Sequence, residues 1–334
     1  MAGDWTTRRM AGICYEAGIK VQLYMPRSSV TANGDYEKFV IYSSSKAELR
    51  RNTIVYVLDT IFRVHEMKLV EDFKTIGCQA CREGKTSGIE FTMAFQPIVD
   101  MQKRVIFGYE ALARGPNNES AYSVLSQVNE TNRYAFDQSC RVKAIDLASK
   151  LGLQGMLSIN FLPGAVYSPK TCIRATLEAC VEVGFPVERL MFEVTENEEV
   201  KDDHLKNIFA EYKRQGFMTA FDDFGAGYSN LNLLADFQPD LIKLDMALTR
   251  NIHNDRVRRT IVTAILTVCR ELSIQVIAEG VETLEECTAL LDLGVILYQG
   301  YFFAKPGFES LPEISKEAWA LAAPRREFDR RGPA

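Results

Sequence analysis

FMTAFDDFGAG occupies residues 217–227 and is the most informative stretch for the fold. An apolar run, 217–221, leads into two adjacent carboxylates, Asp222 and Asp223, and then into the glycine-rich turn 225–227. The run is typical of a buried β-strand and the glycines of the tight loop after it. The carboxylates then lie at the carboxyl end of the strand, where a parallel α/β barrel keeps its functional residues. Because adjacent carboxylates repel each other, such a pair usually requires a cation.

The same alternation of short apolar runs and longer amphipathic stretches continues from about residue 91 onward. It predicts parallel strands connected by helices. The predicted strands are 91–99, 105–112, 156–160, 190–194, 218–222, 240–244, 275–279 and 295–299. Eight strands in about 215 residues suit a TIM-type (β/α)8 barrel. An open doubly wound sheet is the alternative, but no GxGxxG follows an early strand.

Helices are predicted from their spacing and from the residues that end them. The stretches 137–151 and 257–272 have helical spacing, and Gly184 and Gly216 are typical of C-terminal stops. These boundaries place helices between the predicted strands, as an α/β barrel requires.

The chain is expected to have three parts. The barrel spans 91–308, between a small N-terminal α/β element at 1–90 and a C-terminal helix with a charged tail at 309–334. The first element is predicted to contain two strands and a helix, at 20–25, 39–42 and 46–70. It carries no glycine-rich nucleotide loop and no recognised chromophore or haem motif. Its role is therefore open, with regulation or packing as the expectations.

Composition narrows the class of protein. The chain has 334 residues, of which 47% are hydrophobic and 25% charged, and a net charge of -5 gives no reason to expect binding to a nucleic acid polymer. Eight scattered cysteines fit a reducing cytoplasm. No apolar run approaches the roughly 18 residues of a membrane span, and residues 1–12 lack the apolar core of a secretory signal. We expect a soluble cytoplasmic protein with no membrane partner.

Polar residues stand in or beside the apolar runs, mostly where the predicted strands end. They are Glu110, Asn160, Glu193, Asp222, Asp223, Lys243, Glu279 and Gln299. Burying several carboxylates without partners is strongly unfavourable, and divalent cations remove that cost. Because the ligands are oxygen donors without histidine or cysteine, Mg²⁺ or Mn²⁺ is favoured over zinc. Four or more carboxylates suggest two ions, an arrangement that hydrolyses phosphate esters.

The chain resembles the EAL-domain cyclic di-GMP phosphodiesterases over about residues 91–308. The matching runs, in order, are FQPIVD at 95–100, EALAR at 110–114, SINF at 158–161, FEVTE at 192–196, DDFGAGYSNL at 222–231, DLIKLD at 240–245, AEGVET at 278–283 and QGYFFAKP at 299–306. Each run alone is weak, but their order and spacing together are highly specific.

The resemblance implies hydrolysis of one phosphodiester bond of cyclic di-GMP to linear pGpG, with Mg²⁺ or Mn²⁺ and inhibition by Ca²⁺. It also implies a ligand set for two ions. Glu110, Asn160, Glu193 and Asp222 would hold one metal, and Asp222 would bridge to a second that Asp223 and Glu279 help to bind. An intact set favours catalysis, since the family's binding-only members lose such ligands.

The remaining roles that the resemblance implies concern water, substrate and a loop. Lys243 would contact the attacking water, whether to hold and deprotonate it or to neutralise a phosphate, and Gln299 would support that water. Arg114 would contact a phosphate, Leu112 the substrate, and Gln96 a guanine or its sugar. Glu196 would brace the loop 224–231, which in the family links metal binding to dimerisation, so a homodimer is expected.

Three alternatives stay open. A cyclic di-GMP receptor would bind the nucleotide without cutting it, and a third reading makes residues 1–90 a sensor that sets the activity. Cys78 and Cys81 form a single CxxC, which is half a zinc site, a redox pair or an incidental spacing. The only histidines, at 65, 204 and 253, are isolated, which disfavours the HD-type phosphodiesterases because those need clustered histidines.

Overall fold

The computed structural model describes residues 21–24, 40–43, 88–166, 168–195, 202–226 and 230–321. The chain divides into two units, Met1–Thr75 and Ile76–Ala334. In the first unit, strands β1 (Val21–Tyr24) and β2 (Val40–Ser43) pair antiparallel. They lie within a residue or two of the predicted strands. The helix predicted at 46–70, Cys78, Cys81 and most of the predicted charged tail lie outside the described residues.

The second unit contains a closed barrel of eight strands in chain order, which confirms the predicted fold class. Its strands are β3 (Thr92–Asp100), β4 (Val105–Arg114), β5 (Met156–Asn160), β6 (Leu190–Thr195), β7 (Met218–Phe224), β8 (Leu241–Leu244), β9 (Gln275–Ala278) and β10 (Leu297–Tyr298). A short strand, β11 (Gly307–Phe308), also pairs with β3.

The expectation that all eight strands run parallel is wrong for β3. This strand is antiparallel to both of its barrel neighbours, β4 and β10, whereas the other neighbouring pairs are parallel. The reason is the connection: residues 101–104 form a turn between β3 and β4. A parallel pair needs a crossover of a dozen or more residues, so a turn this short permits only a hairpin.

The helices lie between the strands as predicted. They are α1 (Ala121–Leu125), α2 (Arg133–Lys150), α3 (Pro169–Cys172), α4 (Arg174–Val183), α5 (Asp202–Gln215), α6 (Asn230–Phe237), α7 (Met246–Thr249), α8 (Arg256–Glu271), α9 (Leu284–Leu293) and α10 (Lys316–Leu321). Gly184 follows α4 with a φ of 70°, the left-handed conformation that suits a glycine stop. None of the helices within the described ranges is long and apolar enough to cross a membrane.

The interior of the barrel is built in layers. One layer is apolar and takes a buried side chain from each of six strands: Ile98, Met191, Ala220, Leu241, Ile277 and Leu297. Since side chains alternate between the faces of a strand, residues two positions apart point the same way. Met191 and Leu241 therefore share the inward direction of Glu193 and Lys243. The polar residues that end the strands form the next layer above this apolar one.

Candidate active site

Lys243 is the centre of the polar layer. Its side chain is only 1% exposed, and its Nζ lies 2.8 Å from Glu193 Oε2, 2.8 Å from Glu279 Oε1, 3.0 Å from Asp222 Oδ1 and 3.3 Å from Glu110 Oε2. Four carboxylates, each in or directly after a different barrel strand, thus converge on one ammonium group. If all are ionised, one positive charge faces four negative ones, so the cluster attracts further cations.

Asp222 and Asp223 lie side by side because β7 is irregular at this point. In a regular strand, neighbouring side chains point to opposite faces, which would separate the two carboxylates. Here Phe221 pairs with Ile242 and Phe224 with Leu244, so three steps along β7 match two along β8. This is a β-bulge, and Asp223 adopts a φ of 54° within it. The bulge brings both carboxylates to the same group.

Side-chain amides surround the carboxylate of Glu110. Asn160 Nδ2 donates to Glu110 Oε1 at 2.8 Å, and Gln299 Nε2 donates to Glu110 Oε2 at 2.6 Å. Gln299 Nε2 also lies 3.3 Å from Gln96 Oε1. With their amide nitrogens engaged, Asn160 and Gln299 have carbonyl oxygens left for other partners. Gln299 Oε1 is buried and has no hydrogen-bond partner among the described residues.

The electrostatics show how crowded the cluster is. Burial raises the pKa of Glu193 to about 8, against the opposing effect of Lys243, and raises that of Glu279 well above its ordinary value. Burial also raises the pKa of Asp223, with Asp222 and Asp245 adding to the effect. For Lys243, burial lowers the pKa, but the carboxylates outweigh it and raise the pKa well above the usual range. The ammonium therefore keeps its proton.

The donor set fits divalent cations. Two groups of three carboxylates have ligand atoms within 4.8 Å of one another: Glu110 with Glu193 and Asp222, and Asp222 with Asp223 and Glu279. Asp222 belongs to both groups. All five residues offer oxygen, the donor that Mg²⁺ and Mn²⁺ prefer, and the unpartnered Gln299 Oε1 adds one more oxygen nearby. The residues present thus suit two neighbouring hard ions.

A pocket of about 260 Å³ opens beside the cluster. Its lining includes Gln96 and Leu112, two of the residues predicted to contact substrate. Arg114 is not part of this lining, and its Nη1 donates to the carbonyl of Ala113 at 2.7 Å. Glu196, predicted to brace the loop after Asp223, lies outside the described residues.

Several lining residues were not among the predicted site residues. Asp245 lies directly after β8, two positions beyond Lys243, and its Oδ1 accepts a hydrogen bond from Ala247 N at 2.7 Å. Its place in the run DLIKLD is the signal that could have found it. Met246 and Tyr301 also line the pocket and are about half exposed. No periodic pattern of apolar or polar residues in the sequence indicates that these two side chains line a pocket.

The pocket lining contains no histidine. His204 lies on α5 and His253 in a short helical turn before α8, while His65 is outside the described residues. His253 instead belongs to a separate surface groove along α8. The polar side chains that line the described pocket are therefore carboxylates, amides and Tyr301, and Lys243 belongs to the cluster beside it.

Comparison with known proteins identifies the family of this chain. The sequence model described as "EAL domain" matches residues 79–306, which include the whole barrel. This chain belongs to the EAL domain family. The EAL run that names the family stands at 110–112, in the second half of β4, and begins with the Glu110 of the cluster.

Curated relatives differ in what they are named for. The "Blue light- and temperature-regulated antirepressor BluF" of Escherichia coli K12 is 33% identical over 224 residues, 66% of this chain and 56% of the relative. The "Cyclic di-GMP phosphodiesterase PdeR" of the same strain is 36% identical over 151 residues, 45% of this chain and 22% of that protein. The EAL chain thus matches only parts of these longer relatives.

Solved structures also resemble this chain. A "standalone versatile EAL protein" from Vibrio cholerae O395, in a c-di-GMP bound form, is 60% identical with a TM-score of 0.68, and the match covers 69% of this chain and 98% of that one. Klebsiella pneumoniae BlrP1, in a manganese/cy-diGMP complex, is 36% identical with a TM-score of 0.65, over 68% of this chain and 58% of that one. Both neighbours hold the cyclic dinucleotide, and the second also holds manganese.

Proposed function

We propose that this EAL protein hydrolyses one phosphodiester bond of cyclic di-GMP and releases linear pGpG. The observation that carries the proposal is the convergence of Glu110, Glu193, Asp222 and Glu279 on Lys243 beside an open pocket. Such a surplus of buried negative charge binds cations, and bound cations attract the negatively charged phosphate of a substrate. The phosphodiesterase name of PdeR and the dinucleotide complexes of the structural neighbours support the same substrate.

The cofactors would be two Mg²⁺ or Mn²⁺ ions, with Ca²⁺ as an inhibitor. Glu110, Asn160, Glu193 and Asp222 would hold one ion, and Asp222 would be shared with the second, which Asp223 and Glu279 complete. The two carboxylate groups that share Asp222 support this assignment. When bound, such ions neutralise the attacking and leaving oxygens of a phosphate ester.

The protein's own residues would orient water and substrate. Lys243 would point its N–H groups at the attacking water or at a phosphate oxygen, either to hold and deprotonate that water or to neutralise the phosphate. The free carbonyl of Gln299 would accept from that water. Gln96 and Leu112, on the pocket wall, would contact the nucleotide, and Arg114 would reach a phosphate after leaving the Ala113 carbonyl.

Product analysis tests this function. The purified chain is incubated with cyclic di-GMP and Mg²⁺, Mn²⁺, Ca²⁺ or EDTA, and pGpG is separated from GMP by chromatography. We expect pGpG with Mg²⁺ or Mn²⁺ and none with Ca²⁺ or EDTA. Turnover that persists in EDTA, or no product in any cation while binding is intact, would reject the hydrolase.

A second candidate, a cyclic di-GMP receptor, is favoured by the relative named an antirepressor. In it the EAL barrel would bind the dinucleotide uncut and act through a partner or through residues 1–90 as a regulatory element. Residues 1–90 would play the same part as a sensor if the enzyme is active but controlled. Removing those residues and measuring both binding and turnover separates the two: only the controlled enzyme changes its rate.

A homodimer in the cytoplasm completes the proposal, with motility or biofilm formation as the controlled behaviour. The homodimer is supported by α8, on which Val257, Ile261 and Val268 are exposed at helical spacing. A second copy of the chain would cover this apolar face. Light scattering of the wild type and of Val257→Glu with Ile261→Glu tests it: a dimer that becomes monomeric is expected, and a monomeric wild type contradicts the proposal.

A further inference from the structure

A second buried ion pair lies outside the pocket, on helix α2. Arg141 Nη2 is 2.6 Å from Asp137 Oδ2, one helical turn away, and the two residues are 0% and 3% exposed. Arg141 Nη1 and the hydroxyl of Tyr212 are also buried in this part of the core. Asp137 is thus the anion that balances Arg141 in this part of the core.

Asp137 has a second contact, which reaches toward the active site. Its other oxygen, Oδ1, accepts a hydrogen bond from the backbone N–H of Leu162 at 2.9 Å. Leu162 comes two residues after Asn160, the last residue of β5 and a member of the proposed ligand set. The intervening Phe161 donates its N–H to Glu193 O on β6 at 3.0 Å.

The segment 160–162 is therefore fixed from two sides. Strand β6 holds it through Phe161, and helix α2 holds it through the carboxylate of Asp137. The side chain of Asn160 extends from this segment to Glu110, and its Nδ2 donates a hydrogen bond to Glu110 Oε1 at 2.8 Å. Charge-assisted hydrogen bonds to a backbone N–H are short and strong, so they hold a turn well. Arg141 fixes the carboxylate that makes this bond.

We propose that Asp137, paired with Arg141, is a positioning residue that holds the Leu162 N–H and thereby orients Asn160 for metal binding. This inference rests on the proposed function, because it assumes that Asn160 is a ligand. It assigns no contact with substrate or ion to Asp137 itself. Groups that orient metal ligands typically change metal affinity about 10–100-fold when they are removed.

Two double variants separate positioning from a purely structural role. Asp137→Asn with Arg141→Gln removes both charges but keeps an amide oxygen that accepts from Leu162 N–H. Asp137→Leu with Arg141→Met also removes both charges and keeps similar volume, an exchange that buried ion pairs often tolerate. It leaves Leu162 N–H without an acceptor. The two variants therefore differ in the one hydrogen bond that the proposal needs.

The measurement is the dissociation constant for Mn²⁺, obtained from the free-ion electron paramagnetic resonance signal with the full chain and no substrate. We expect Mn²⁺ binding about tenfold weaker in the Leu/Met variant. The Asn/Gln variant should stay within about twofold of wild type, as a rescue by the retained acceptor. Thermal unfolding of each variant is recorded alongside, because a structural role predicts affinities that follow the melting temperatures.

Asn160→Ala, alone and combined with the Leu/Met change, completes a mutant cycle. In that background the Leu/Met change should weaken Mn²⁺ binding no further, because the residue it orients is gone. Equal affinity in both double variants, or an equal further loss without Asn160, overturns the inference. If the Leu/Met variant does not fold, the Asn/Gln variant decides: a tenfold loss overturns the inference, and wild-type affinity supports it. A wild type that binds no Mn²⁺ rejects the proposed metal site, and the inference with it.

Discussion

Lys243 and Arg141 are both almost completely buried basic residues, yet their surroundings differ. Lys243 faces four carboxylates within 3.3 Å, whereas among the described residues Arg141 has a single carboxylate within salt-bridge distance, that of Asp137. The arginine pair is balanced and needs nothing further. When its four carboxylates are ionised, the lysine cluster has a surplus of negative charge, which a protein core disfavours unless cations join it. Burial alone thus does not mark a functional site; unbalanced charge in a buried position does.

The largest expected effect is on catalysis and follows from removing the shared carboxylate. Asp222→Ala should lower cyclic di-GMP turnover by more than about 10³-fold, because both carboxylate groups lose a member. Glu178→Ala, which removes an exposed carboxylate on α4, is the matched control. Initial rates with Mn²⁺ and the circular dichroism of both variants check this. A folded Asp222→Ala enzyme with a near-normal rate would show that the cluster is not the active site.

The next effect is on stability and concerns the balanced pair. Arg141→Met leaves Asp137 buried without its counter-ion, which typically costs about 3–5 kcal/mol of unfolding free energy. Mn²⁺ should raise the melting temperature of this variant no more than that of the wild type, because the lost charge is outside the metal site. Urea unfolding and thermal scans with and without Mn²⁺ measure both. A small cost would mean that the pair is not needed for the fold.

Lys243→Met should respond to metal in the opposite way. Without metal, four carboxylates lose their shared ammonium, so the melting temperature should fall clearly. Mn²⁺ should recover most of that loss, since the same carboxylates bind the cation. Turnover should remain at least about tenfold below wild type because the donor to water is gone. Thermal scans over a Mn²⁺ titration test this, and a loss that Mn²⁺ leaves unrepaired would contradict the assignment of the cluster.

The smallest effect sets the baseline for the comparison. Asp146 and Lys150 form another pair on α2 with the same one-turn spacing as Asp137 and Arg141, but their side chains are 36% and 68% exposed. Lys150→Ala should therefore cost only about 0.3–0.5 kcal/mol. Urea unfolding of Lys150→Ala and of Arg141→Met gives the two unfolding free energies, and their difference measures the effect of burial because both pairs have the same one-turn spacing. Similar costs for the two variants would remove burial as the explanation.

Much of the barrel and of the cluster was predictable because both depend on local patterns. Apolar runs gave the eight strands, and the alternation of side chains explains why Glu193, Lys243 and Glu279 share one interior. The residues of the cluster could be named individually from the order of the EAL motifs. These features repeat along the chain and need no knowledge of which strands are neighbours.

The parts that the sequence did not predict depend on contacts between distant residues. The reversed direction of β3 follows from the short turn 101–104, which leaves no room for the crossover that a parallel pair needs. The bulge at Asp222 appears only when β7 is aligned with β8. The bond from Asp137 to Leu162 spans 25 positions between a helix and a loop, and no periodicity links them. Charge balance likewise becomes visible only once the neighbours are known.

The most direct test of the account is the number of Mn²⁺ ions that the chain binds, measured by equilibrium dialysis of the wild type and of Asp222→Ala. Two groups of carboxylates that share Asp222 predict two ions per wild-type chain. The variant should retain at most one at the same free concentration. A wild type that binds no Mn²⁺, or a variant that still binds two, would contradict the claim that the charge surplus around Lys243 is a two-cation site.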